Sequence, residues 1–478
     1  MAKADCVIRG GLLVNGQGVT RNDILIGNGI VQQIGQDLQA PDVIDASGKY
    51  VLPGIVDAHS HPVFADKIDT FSISAAYGGI TTIIPFYGNF SSWGTSGKTS
   101  DVIKAHIEEG ERISYLDFAI HAAFVAEDDV TAEILELTKN GVLSFKMYMS
   151  FPRRGMMMPD QKMLEAMAAA AAEGAIAMVH PENGYGIDFL VDKFTAEGKV
   201  SAEYFLPSQP NILEVEAVQR AATYSALTDC PLYCVHISAR EAPDVLLRMK
   251  NEGKKIYAET CPQYLSLTND AVLERGPLGK VGPPLREAED NAAMWHGLAN
   301  HAIDTVASDS CNLKAAQKSK GGASTGYIDS SPPAEWSGNI FEARFGAPWA
   351  EHMLSVVYHD GVNGGLITLP RLVQAMCENP ARIFGLYPKK GSLQAGSDAD
   401  LIFLDPTLPV TISSRDMHSN ADFTVFEGKQ VIGAPVFVMQ RGEVLIENGQ
   451  MKRKQGRAKF LAGDSNLAAY AKNGYPIS

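Results

Sequence analysis

A chain of 478 residues with 45% apolar content has material for one large α/β domain and a smaller one. Its 41 Lys and Arg against 55 Asp and Glu leave a net charge of −14, and the basic cluster of note, Lys452-Arg453-Lys454, lies near the C-terminus; this balance excludes nucleic acid and an anionic membrane as partners. No apolar segment follows Met1-Ala2-Lys3-Ala4-Asp5, and no run reaches the roughly 18 apolar residues of a membrane span, so the expected location is the cytoplasm.

Residues 5–50 alternate short apolar runs with Asn15-Gly16 and Asn28-Gly29, the grammar of β-hairpins. The same grammar returns after Gly396-Ser397-Asp398-Ala399-Asp400, in Leu401–Leu404, Val410–Ile412, Ala421–Val425, Val436–Val438 and Glu443–Ile446. Residues 1–52 and 389–450 are therefore expected to form one small β-sandwich, with 451–478 a C-terminal tail.

Between these ends, eight candidate strands alternate with helical stretches: Leu52–Ala58, Thr81–Phe86, Asp117–Phe124, Val142–Met149, Ala175–His180, Pro231–Ile237, Lys255–Glu259 and Asp304–Asp309. Met163, Ala166, Met167 and Ala170 mark one helix over Asp160–Glu173 by their spacing. Eight β/α units over residues 53–388 predict a (β/α)₈ TIM barrel, whose sites lie at the C-terminal ends of its strands. Residues 310–350, rich in Gly, Ser and Pro, read as a long loop over that end. The six cysteines show no C-x-x-C pair and read as reduced, mostly buried thiols; Cys230 and Cys234 are too weakly spaced to argue for a soft-metal site.

Metal-ligating residue types fall on these strand ends one after another. His59 and His61, two apart, project to the same face of the first strand and can chelate one ion. His180 ends the fifth strand, His236 nearly ends the sixth, and Asp309 ends the eighth, so the barrel brings all of them to one point. Lys146 lies inside the fourth strand, where a core does not accept an unpaired ammonium; it is either ion-paired or chemically altered. His106, His121, His296, His301, His352, His359 and His418 read as ordinary core or surface histidines.

With these residues in place, the sequence resembles the cyclic amidohydrolases, in their dihydropyrimidinase and D-hydantoinase branch. The resemblance rests on Asp57-Ala58-His59-Ser60-His61 after Leu52-Pro53-Gly54, Ser144-Phe145-Lys146, His180-Pro181-Glu182-Asn183-Gly184 and Val235-His236-Ile237-Ser238. Glu259-Thr260-Cys261-Pro262-Gln263-Tyr264-Leu265, Pro283-Pro284-Leu285-Arg286, Ser308-Asp309, Asn379-Pro380-Ala381 and Gly396–Leu401 extend it over nearly the whole chain.

It implies two divalent ions, usually zinc with manganese an alternative, bridged by a CO₂-derived carbamate on Lys146. His59, His61 and Asp309 would serve one ion, and His180 and His236 the other. A hydroxide shared by two cations is a nucleophile at neutral pH. Asp309 would take its proton and pass it to the leaving nitrogen. The substrate implied is a small cyclic amide, and the assembly a homotetramer or dimer.

The substrate contacts depart from the family's pattern. A Tyr five residues beyond the carboxylated Lys is Phe151 here. The Ser before Pro-Pro-Leu-Arg is Gly282, Ser-Asp-His-Cys-Pro becomes Ser308-Asp309-Ser310-Cys311-Asn312, and an Asn-Gly-Gly-Pro segment is replaced around Phe345-Gly346-Ala347-Pro348. An oxyanion donor is typically worth ~3 kcal/mol, so a replacement is expected; Tyr148, on the same strand face as Lys146, is the candidate. The loop Phe151–Pro159 offers an apolar wall and, at Arg153 beside Arg154, a cationic clamp, or else a solvated Arg pair beside packed Met residues. Phe151, Tyr148, Gly282 and Arg153 are thus the expected substrate contacts. Allantoinase-like, dihydroorotase-like or xenobiotic-amide hydrolysis by the same centre is the competing reading. A non-catalytic scaffold relative is a third, opposed by the presence of all six ligand positions.

Overall fold

The computed structural model describes residues 5–319, 336–466 and 468–469. Eight parallel strands form the barrel: β1 (Ile55–Ser60), β2 (Ile80–Gly88), β3 (Asp117–Phe118 continued by His121–Ala123), β4 (Ser144–Tyr148), β5 (Ile176–His180), β6 (Leu232–Cys234), β7 (Ile256–Thr260) and β8 (Thr305–Val306). They pair in chain order, and a bridge between Ser60 and Ser310 brings the last strand back to the first. Every residue of β2, β4 and β5 is buried, as expected of strands covered by helices outside and filled by side chains inside. The helix Asp160–Ala172 buries Met163, Ala166, Met167 and Ala170, the stripe its spacing predicted.

The first expected strand, Leu52–Ala58, is two strands. Tyr50–Pro53 joins the sandwich and Ile55–Ser60 the barrel, with Gly54 between them. A Cβ at Gly54 would lie 2.1 Å from the Thr81 hydroxyl, so the chain changes sheets at the position where β2 leaves no room for a side chain. The sixth and eighth strands are shorter than expected, and His236 and Asp309 lie in the segments after them.

The two ends of the chain do combine. Cys6–Arg9, Asp23–Gly27, Ile30–Gly35 and Asp42–Asp45 form one four-stranded sheet. Leu12–Asn15, Gly18–Thr20 and Tyr50–Pro53 join Leu401–Thr411, Gln430–Gln440, Glu443–Glu447 and Gln450–Met451 in a seven-stranded one. Ile8, Ile24, Val31, Val51, Leu401 and Phe437 share the core of these sheets. Asn28 and Gly29, both left-handed, make the tight turn that their sequence announced. Ala421–Val425 is not a strand; it is irregular chain that buries Phe423 and Val425.

The Asp398-Ala399-Asp400 segment grips the barrel. Lys390 Nζ lies 2.7 Å from Asp117 on β3 and 2.9 Å from both Asp398 and Asp400, with all four residues buried. Of the loop expected over 310–350, residues 320–335 lie outside the described residues, as do 1–4 and 470–478 at the ends. The rest of that loop is irregular apart from Ala315–Lys318 and short 3₁₀ turns. Among the described residues no helix is long and apolar enough to cross a membrane, and all six cysteines are free.

Candidate active site

At the C-terminal end of the barrel, His59 and His61 leave β1 side by side, with their Nε2 atoms 3.3 Å apart. Both face one oxygen of Asp309, at 3.1 Å and 3.4 Å. The neighbouring pair is His180 at the end of β5 and His236 after β6, with His180 Nδ1 2.8 Å from His236 Nε2. The rings of His59 and His236, 5.5 Å apart, join the two halves. Lys146, on β4, is 1% exposed; its ammonium lies 4.9 Å from the Phe86 ring and 5.4 Å from the Tyr148 ring, with no hydrogen-bond or ion-pair partner among the described residues. The six positions singled out at the strand ends therefore line one pocket.

The histidine rings are aimed by acids that stand within the sequence motifs, Glu259, Glu182 and Asp57, whose type and position alone give no sign of this role. His59 Nδ1 is 2.6 Å from Glu259 Oε1 on β7, and the same oxygen accepts from the His236 backbone N–H at 3.1 Å. The second oxygen accepts from the Tyr233 hydroxyl at 2.8 Å. His180 Nε2 is 2.7 Å from Glu182. Asp57 accepts from the Ser308 backbone N–H at 2.8 Å and hydroxyl at 2.7 Å, which ties the chain bearing His59 to the chain bearing Asp309. His121 is buried beneath the site, and its ring nitrogens lie 2.5 Å from the Ser144 hydroxyl and 3.1 Å from the Ala58 carbonyl, a structural histidine as read from sequence.

These contacts test whether a metal fits. With its Nδ1 proton given to Glu259, His59 turns the lone pair of Nε2 toward the carboxylate oxygen of Asp309. Two acceptors face each other, an arrangement that needs a cation between them. Burial opposes a charge on His59, but Glu259 and Asp309 outweigh it and raise its pKa to about 9, the mark of a site that draws positive charge. His59, His61 and Asp309 offer ligand atoms all within 4.8 Å of one another, and the buried Nδ1 of His236 has no partner. The donor set of imidazoles and carboxylate suits zinc or a similar divalent ion. His236 and Asp309 both have left-handed backbones, at φ 40° and 48°, a strain that active sites commonly carry.

Around this centre the expected substrate contacts divide. Tyr148, Phe151 and Gly282 line the pocket. Phe151 also has a left-handed backbone, φ 61°, and its ring stands 5.1 Å from His180 and 5.6 Å from Phe345. A Cβ at Gly282 would come within 2.8 Å of the Phe345 ring, so the space of the missing side chain is taken by that phenylalanine. Arg153 does not line this pocket but the neighbouring cleft, with Phe151, Asp188 and Phe345. Its side chain is about half exposed and bound to Asp188 at 3.2 Å and to Asp192 at 2.5 Å. Its neighbour Arg154 enters the pocket instead, because the turn Pro152–Arg154 runs between left-handed Phe151 and Gly155 and sends successive side chains in different directions. Arg344 and Trp349, which no sequence motif marks, line the same space.

The amidohydrolase family model matches residues 50–445 of the chain. The D-hydantoinase of Ralstonia pickettii is 34% identical over 473 residues, covering 96% of this chain and 98% of that one, and the L-hydantoinase of Paenarthrobacter aurescens is 34% identical with the same coverage of both. Among solved structures, the dihydropyrimidinase of Brevibacillus agri superposes with a TM-score of 0.88 at 31% identity, over 97% of this chain and 99% of that one.

Proposed function

The chain belongs to the amidohydrolase family, in the branch of the hydantoinases and dihydropyrimidinases, and on that premise we propose that it opens a hydantoin, dihydropyrimidine or related cyclic imide at a centre of two divalent ions. That it hydrolyses the C–N bond of a cyclic amide follows from the family; the two-ion centre and its ligands are our reading. His59, His61 and Asp309 would hold one ion, His180 and His236 the other, and Lys146, carboxylated by CO₂, both. Carboxylation turns a buried ammonium, with no hydrogen-bond or ion-pair partner among the described residues, into an anion among cations, which removes the cost of its burial. When bound, the ions supply Lewis acidity: they lower the pKa of water and polarise the ring carbonyl.

The chain's own groups do the rest. An Asp309 carboxylate oxygen accepts a proton from the attacking water as its oxygen bonds to the ring carbonyl carbon, and delivers that proton to the ring nitrogen as the C–N bond breaks. Water is consumed, and the product is an N-carbamoyl amino acid or an amic acid. The Tyr148 hydroxyl donates to the carbonyl oxygen as charge develops there, in the role lost at Phe151. Phe151, Phe345 and Trp349 exclude water from the ring's faces.

What supports this reading above all is that four histidines, a carboxylate and a buried lysine without a hydrogen-bond or ion-pair partner among the described residues converge on one pocket from the ends of five barrel strands. The test is metal analysis of the purified protein, with ring opening assayed on hydantoin, dihydrouracil, allantoin, dihydroorotate and succinimide, with and without Zn²⁺ or Mn²⁺ and bicarbonate. About two ions per chain and metal-dependent opening of at least one ring are expected. A fully loaded protein that opens none of them overturns the reading.

A further inference from the structure

Four consecutive backbone N–H groups, beginning at the left-handed His236, are taken by two glutamates. Those of His236 and Ile237 donate to Oε1 and to the backbone carbonyl of Glu259, at 3.1 and 2.7 Å. Those of Ser238 and Ala239 both donate to Glu214 Oε1, each at 2.9 Å. The Ser238 hydroxyl donates to the other Glu214 oxygen at 2.5 Å. Glu259 aims His59 as well, whereas Glu214, fully buried, has no part in the chemistry proposed above.

Arg286 braces that carboxylate. Its Nη2 lies 2.9 Å from Glu214 Oε2, and its Nε donates to the Ser238 hydroxyl at 2.8 Å. Its Nη1 donates to the Gln209 carbonyl at 3.0 Å and to Asn211 Oδ1 at 2.8 Å. Neither side chain of the pair is more than 2% exposed, so turning either one would leave a buried charge unpaired. Glu214 stands in the first turn of the helix Asn211–Thr228, and the same turn reaches the segment after His180: the Leu213 carbonyl accepts from the Asn183 N–H at 3.0 Å. One helix start thus fixes both segments whose histidines face each other at 2.8 Å.

We propose that Glu214, braced by Arg286, is a positioning residue: it holds the left-handed turn at His236 and so sets that imidazole against His180, where the second ion binds. This rests on the two-ion reading above and names what builds its second half. A residue other than glycine persists in the left-handed region where its surroundings over-determine it. Without Glu214 the Ser238 and Ala239 N–H groups lose their acceptor, the turn relaxes and the ring leaves its place.

The experiment measures the two dissociation constants for Zn²⁺, with bicarbonate present, by competition with a chromogenic chelator. Glu214→Ala should weaken one ion by about 10- to 100-fold and leave the other within about threefold of wild type. Glu214→Gln, whose amide oxygen can still accept from both N–H groups, should recover part of the loss. His61→Asn should weaken the other ion, so that the double variant with Glu214→Ala holds both weakly. Equal weakening of both ions by Glu214→Ala, no weakening, or a double variant that still binds one ion at wild-type strength overturns the inference. Hydrogen exchange on the protein as purified gives a second readout: residues 236–239 should exchange at least about tenfold faster in Glu214→Ala, with residues 59–61 unchanged. Should that variant not fold, Ser238→Ala, which removes the hydroxyl shared by Glu214 and Arg286, replaces it in both measurements, with smaller shifts of the same pattern expected. If the wild type holds fewer than two ions, the two-ion reading falls and hydrogen exchange decides the inference. Acceleration confined to 236–239 then supports it, and unchanged or general acceleration overturns it.

Discussion

His59 and Glu259, 200 residues apart in the chain, meet at 2.6 Å with neither side chain more than 1% exposed. The carboxylate fixes which imidazole nitrogen carries the proton, and so leaves the other nitrogen with its lone pair turned to Asp309. Partners of this kind raise ligand basicity and lock ring orientation.

Glu259→Gln keeps the shape but removes the charge that holds the His59 tautomer. Metal affinity is expected to fall by about 10- to 100-fold, measured by competition with a chromogenic chelator. An unchanged affinity would strip Glu259 of this role.

The Tyr148 hydroxyl is the donor proposed in place of the family's tyrosine, whose position is Phe151. Tyr148→Phe should lower kcat by about two orders of magnitude, equivalent to ~3 kcal/mol, with KM changed by no more than a few-fold. Steady-state rates on whichever ring the enzyme opens fastest check this, and a variant with wild-type turnover disposes of the assignment.

Lys390 is held among Asp117, Asp398 and Asp400 at the junction of barrel and sandwich. Burial opposes its charge, and the carboxylates of Asp400, Asp117 and Asp398 outweigh that and raise its pKa. Lys390→Met leaves three buried acids without their shared cation, so a loss of about 3–5 kcal/mol is expected, read as a drop in the urea midpoint. A loss below 1 kcal/mol would mean that Arg441, 3.1 Å from Asp117, carries the cluster alone.

Asp405 accepts from Lys49 Nζ at 2.5 Å, and this bond, with others from Thr407, lowers its pKa to about 2 against the opposing effect of burial. A depressed carboxylate contributes stability that is present above the ordinary carboxylate range and lost as pH falls toward the folded value. Asp405→Asn should therefore cost about 0.5 kcal/mol at neutral pH, the usual size for a solvent-screened pair. The difference between variant and wild type should shrink as unfolding is measured from about pH 4 down to pH 2. A gap that stays constant over this range would contradict the assignment.

That His59, His61, Lys146, His180, His236 and Asp309 meet in one pocket was legible in the chain because residue types suited to chelation recur at particular strand ends, and short motifs such as Asp57-Ala58-His59-Ser60-His61 carry both facts locally. The barrel was legible for a similar reason: period and turn residues mark each strand without reference to its neighbours. The strand change at Gly54 was not, since it depends on Thr81 lying against it. Nor was the choice between Arg153 and Arg154, which are identical in type and adjacent. The left-handed backbones of Phe151 and Gly155 send one to Asp188 and Asp192 and the other into the pocket.

By itself, then, the sequence determined the fold class and which residues could bind metal, because periodicity and ligand type are properties of short stretches of chain. Only the tertiary structure decided that Glu259 aims His59, that Phe345 fills the space beside Gly282, and that Arg154 rather than Arg153 lines the pocket with Asp309. Each of those is a contact between side chains brought together by the closing of the barrel, and its energy depends on distance and burial, which no local stretch encodes.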